Sequence, residues 1–92
     1  MMDQYFEIKE AHPDTVLFFR MGDFYEMFHD DAEIVSKELG LTLTSRDKKA
    51  ENPIPMAGFP WHALEDNLKK MVRKGYKITL CEQEQELSLI HI

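Results

Sequence analysis

Positive charge is in short supply in this sequence: 11 Lys and Arg face 17 Asp and Glu, a net −6. A chain of that balance cannot hold a polyanion tightly by neutralising it. Cysteine is nearly absent. The one present, Cys81, excludes a disulfide within the chain and fits a reducing compartment. No apolar run approaches the roughly 20 residues that span a bilayer. The start, with Asp3, Glu7 and Glu10, has none of the basic character of a signal peptide, so the cytoplasm is the expected location. The four glycines include no phosphate-cradling loop, so no nucleotide hydrolysis is expected of this chain and no cofactor is implied by it. His12, His29, His62 and His91 fall at no metal-ligand spacing. No repeat or linker divides the sequence. Its 92 residues allow one small domain, near the lower limit for independent folding.

What is present is ordered apolar patterning. Spacing predicts a helix over residues 1–11, with Met1, Met2, Tyr5, Phe6 and Ile8 on one broad face and Pro13 ending it. Residues 16–21 are almost continuously apolar, as in a strand covered on both faces. Arg20 interrupts that run, with a phosphate and a nearby carboxylate both open as its partner. Gly22-Asp23 suits a two-residue hairpin turn, so a second strand follows. Asp30 or Asp31 is expected to cap the next helix, which runs through Ile34, Val35, Glu38 and Leu39 and stops at Gly40. Leu41, Thr42, Leu43 and Thr44 alternate as a half-buried strand. Residues 46–52 form a polar loop holding Arg46, Lys48 and Lys49.

Pro53, Pro55 and Pro60 frame an extended segment. Proline cannot donate to a ladder, which predicts a sheet edge or a crossing loop here. A helix over 61–74 should bury Leu64, Leu68, Met71 and Val72, and Gly75 ends it. A last strand over 76–81 places Tyr76, Ile78 and Leu80 on one side. The order α, β, β, α, β, proline-rich segment, α, β predicts an α/β domain: a mixed sheet with an N-terminal hairpin, flanked by helices.

The hairpin carries the most specific residues. Period-two alternation turns Phe24, Glu26 and Phe28 one way and Tyr25 and Met27 the other. By spacing alone this is an amphipathic strand with a core ring and a solvated acid. The stretch Arg20-Met21-Gly22-Asp23-Phe24-Tyr25-Glu26-Met27-Phe28 is accompanied, in order, by further matches. These are Met1-Met2 with Gln4-Tyr5, Leu43-Thr44 with Arg46, Pro53-Ile54-Pro55-Met56-Ala57-Gly58, and Cys81-Glu82-Gln83. Together they resemble the MutS family, in particular its N-terminal mismatch-binding domain with a Phe-x-Glu motif, here Phe24-Tyr25-Glu26.

The resemblance implies a domain that inserts Phe24 into duplex DNA at a mispair, with Glu26 contacting the displaced base and Arg46 beside the backbone. Phe24 should then be exposed, and Tyr25 and Met27 packed inward. It also implies a role in mismatch repair within a longer, dimeric protein that uses ATP and magnesium in another domain and works with a MutL-like partner. Three readings of other classes stand beside it. Asp23, Glu26, Asp30 and Asp31 are clustered acids of the kind that bind Mg²⁺ in nucleases, and Cys81 with His62 or His29 is a conceivable nucleophile pair. The third is an interaction module without DNA contact. The match to the family's pattern ends near Gln83. We therefore expect the domain at residues 1–86, incomplete at its C-terminal end, and residues 87–92 as a non-native tail with no structural role.

Overall fold

The computed structural model describes residues 2–46, 53–82 and 89–91, with side chains over 3–45 and 53–82. The elements are α1 (Met2–Ala11), β1 (Val16–Met21), β2 (Phe24–Phe28), α2 (His29–Leu39), β3 (Thr44–Arg46), β4 (Ile54–Pro60), a 3-10 turn (Trp61–Ala63), α3 (Leu64–Arg73), β5 (Ile78–Cys81) and β6 (Leu89–His91). The six strands form one mixed sheet in the order β3-β4-β2-β1-β5-β6. Only β1 and β5 run parallel; the other pairs are antiparallel. The expected α/β architecture with a hairpin is the one observed.

The apolar run of β1 is explained by cover on both faces. Val16 and Phe18 join Tyr25, Met27, Ala57, Phe59, Ile78 and Leu80 in a core closed by Ala32 and Val35 of α2 and Met71 of α3. Leu17 and Phe19 turn the other way and pack with Phe28 and Cys81 under Tyr5 and Ile8 of α1. All four residues of β5 are buried for the same reason. Phe6 of α1 and Val72 of α3, both expected in the core, are instead exposed.

Three local expectations differ from the structure. The proline-rich segment is not at an edge: β4 lies between β3 and β2. The register shows why this is tolerated. β4 pairs with β2 over Met56–Pro60 and with β3 over Ile54–Met56. Pro55 and Pro60 therefore each have a ladder neighbour on one side only, where a missing N–H costs no hydrogen bond. The strand predicted from Leu41 begins only at Thr44.

The third concerns the start of α2. Neither aspartate caps it: Phe28 holds the cap position and makes no side-chain cap bond. Asp31 points inward, almost fully buried. Its carboxylate accepts the Leu17 amide at 3.0 Å and pairs with Lys9 at 3.0 Å. The Lys9 ammonium also donates to the Thr15 carbonyl. The Tyr5 hydroxyl donates to the Phe28 carbonyl at 3.2 Å. Burial first, and then the Asp31 charge, raise the Tyr5 phenol well above its ordinary value, so it remains a donor. This network ties α1 to β1, β2 and α2. A buried acid of this kind is tolerated because it is fully partnered.

The final residues also depart from the sequence reading. Leu89–His91 add a strand at the edge of the sheet, pairing with Thr79–Cys81 of β5. Ending the chain after Glu86 therefore uncovers the outer edge of β5. We expect a loss of about 1–2 kcal/mol, the worth of one or two ladder hydrogen bonds. That should lower the thermal midpoint by roughly 5–15 °C for a domain of this size. An unchanged midpoint on truncation would show that the strand contributes nothing.

Candidate functional site

The hairpin joins Met21 to Phe24 across Gly22 and Asp23. Gly22 has φ +61°, while Asp23 does not enter the left-handed region. A left-handed first loop residue is the φ pattern of a type II′ turn, whose twist matches the flanking strands. β2 leaves this turn with Phe24 first, followed by Tyr25 (2 % exposed) and Met27 (0 %) facing α2 and α3. Phe24, Glu26 and Phe28 share the opposite face. The three fare differently because α1 covers only part of it. Phe28 lies beneath Tyr5, with ring centres 4.9 Å apart. Glu26 is half-buried, and Phe24 is 49 % exposed at the end of the strand.

Beside Phe24 and Glu26 the sheet forms a shallow cavity of about 310 Å³, floored by Met56 and Gly58 of β4 and edged by Thr42 and Thr44. Glu26 alone among these lining residues carries a charge. Gly58 stands opposite Glu26 in the ladder. A Cβ there would meet the Tyr25 carbonyl at 2.9 Å and the Glu26 Cγ at 3.5 Å. The bare backbone at this position lets β4 approach β2 and lets the glutamate lie across it. Sequence reasoning named Gly58 within a matching stretch and Thr42 and Thr44 within a strand, but gave none of them a part in the site. The register between β2 and β4 was the missing information.

The remaining sequence candidates are placed as follows. Arg46 ends β3 opposite Ile54, at the strand edge of the sheet. Its side chain and residues 47–52, with Lys48 and Lys49, lie outside the described residues. Arg20 turns to the face opposite Phe24, with Nη1 3.8 Å from Glu82; of its two open partners, the carboxylate is the one observed. Asp23, Glu26, Asp30 and Asp31 do not assemble a metal centre, and among the described residues no three His, Cys, Asp or Glu side chains are so grouped. Asp31 is instead engaged by Lys9 and Leu17. Cys81 is buried in the core beside Leu17 and Phe19, as a small apolar residue would be. Among the described residues no helix is long and apolar enough to cross a membrane.

These features define a small mixed α/β domain that displays one free aromatic ring and one carboxylate side by side past a tight turn. The chain belongs to the MutS family: the model of MutS domain I matches residues 1–90. It is 58 % identical over 86 residues to the DNA mismatch repair protein MutS of Rhodopirellula baltica, covering 94 % of this chain and 10 % of that protein. It is 54 % identical over 88 residues to that of Caldanaerobacter subterraneus subsp. tengcongensis, and 52 % identical over 86 residues to that of Lawsonia intracellularis, covering 96 % and 94 % of this chain and 10 % of each relative. The chain thus spans about a tenth of the length of these relatives and corresponds to their domain I.

Proposed function

We propose that this chain reads mispaired sites in duplex DNA by deformation. Phe24 enters the minor groove, stacks on a base at the mispair and kinks the helix. Glu26, two residues on and on the same face, accepts a hydrogen bond from the displaced base. Arg46, at the end of β3, contacts the DNA backbone. Unstacking costs a few kcal/mol per step, and less where pairing is already defective. A ring of this kind therefore selects mispairs in any sequence context. The observation that carries the reading is Phe24 itself: a large apolar ring left half-exposed next to an acid, on a strand whose other rings are buried.

The grip comes from elsewhere. With a net charge of −6 the chain has little means of neutralising phosphates. We assign the DNA clamp, the homodimer contacts, the ATP and magnesium chemistry and the MutL-like partner to the segments that make up the rest of its relatives, acting in the cytoplasm. The 92-residue chain alone should bind a labelled heteroduplex no more tightly than about 10⁻⁴ to 10⁻⁶ M at physiological salt, the non-specific range. Mismatch preference should appear when residues 1–86 replace the matching segment of the Rhodopirellula baltica protein. Nanomolar binding by the short chain, or a chimera indifferent to mispairs, would contradict this division of labour.

A further inference from the structure

On the face of the hairpin away from Phe24, Arg20 gathers an unusual set of contacts. Its Nε donates to the Gly22 carbonyl at 2.6 Å. Its guanidinium carbon lies 5.4 Å from the centre of the Tyr25 ring and 5.7 Å from that of Trp61, within cation–π reach of both. Its Nη1 is 3.8 Å from Glu82, and the same carboxylate accepts the Tyr25 hydroxyl at 2.6 and 2.7 Å. Burial and that bond push the Tyr25 phenol up to about 12, so it remains a donor throughout the physiological range. The Trp61 main-chain amide donates to the Asp23 carbonyl at 2.8 Å. Both residues of the turn are therefore held by their carbonyls, Gly22 by Arg20 and Asp23 by Trp61, and the two holders face each other.

We propose that Arg20, together with Trp61, is a positioning clamp for the turn that carries Phe24. It acts through the turn and does not touch DNA. The idea rests on the wedge reading, and deepens it. A ring that must force a duplex open transmits strain only if its own anchor is fixed; a swinging tip would bind matched and mispaired DNA alike. Arginine suits the task because its planar fork can meet a carbonyl, two rings and a carboxylate at once. Lysine offers a compact point charge on a flexible stem.

The clamp is read first without DNA. In the 92-residue chain, hydrogen exchange of the amide at position 61 should speed up by about tenfold in Arg20→Ala, the loss of two cation–π contacts. The Leu17 amide, bound to Asp31 in the core, should exchange as before. Arg20→Lys should behave nearly as Arg20→Ala. In the chimera, both variants should lower the ratio of heteroduplex to homoduplex affinity by about five- to tenfold, leaving homoduplex affinity and its salt dependence unchanged.

Unchanged exchange at position 61 overturns the clamp whatever the DNA result. So does full rescue by Arg20→Lys, or a uniform loss on both duplexes with the salt slope reduced by about one, which marks a phosphate contact. If Arg20→Ala loosens the core as well, Trp61→Leu decides, because it removes a half-exposed ring and keeps the amide. Faster exchange at position 61 in that variant supports the clamp, and unchanged exchange overturns it. If the amide loosens as expected but Phe24→Ala leaves discrimination intact, the clamp stands and the wedge reading fails.

Discussion

Phe24→Ala in the chimera should abolish most of the preference for mispaired over matched duplex while leaving the domain folded. The two effects separate because the ring is half in solvent. Its truncation removes about half the burial of a core phenylalanine, or roughly 1 kcal/mol of stability. The same ring, stacked on a base, is worth about 1–3 kcal/mol. That loss falls only on the complex in which a base has been unstacked, so discrimination should drop by about one to two orders of magnitude. Tyr25→Ala gives the contrasting pattern: its ring packs against Phe59 in the core, so it should unfold the domain before it affects reading. A Phe24→Ala chimera that still discriminates would remove the wedge from the account.

Glu26 should show the opposite sign on matched DNA. The Glu26 carboxylate, half-buried on the sheet face, repels phosphates at every site, and a displaced base that offers a donor offsets that repulsion at a mispair. Glu26→Gln keeps the shape and an acceptor but removes the charge; Glu26→Ala removes both. Both chimeras should therefore bind matched duplex more tightly than the parent. Glu26→Ala should lose the further contact at the mispair, about 1.5–3 kcal/mol for a charge-assisted hydrogen bond. Its discrimination should thus fall below that of Glu26→Gln. The check is the ratio of heteroduplex to homoduplex affinity for the three proteins at one salt concentration. Equal ratios would reduce Glu26 to a solvated side chain, with Phe24 as the only reader.

Much of this was legible in the residues. The apolar run over residues 16–19 of β1 correctly implied cover on both faces, and Gly22-Asp23 pointed to the hairpin and so to an antiparallel pair in the sheet. Alternation put Phe24 and Glu26 on one face and Tyr25 and Met27 on the other, and the family resemblance implied that the Tyr25 face is the inward one. Alternation could not say which of Phe24 and Phe28, on one face, would be covered. That depends on how far α1 reaches, a tertiary fact set where Tyr5 meets Phe28.

The misses share this cause. The prolines of β4 argued for an edge, yet the short overlap of its two ladders lets them sit inside the sheet. Asp31 looked like a cap because it opens a helix, but Lys9 and the Leu17 amide, distant in sequence, draw it inward. Arg20 was ambiguous for the same reason: Trp61 and Glu82 reach it only through the fold.

On the proposed reading, the Phe24 side chain enters the duplex at the mispair. The most direct measurement places a photo-reactive phenylalanine analogue at position 24 of the chimera and maps its crosslinks on a heteroduplex and its matched counterpart. Crosslinks confined to the mispaired base or its stacking neighbour, and nearly absent from the matched duplex, are the expected result. Crosslinks spread evenly along both duplexes, or none to a base at all, would contradict it.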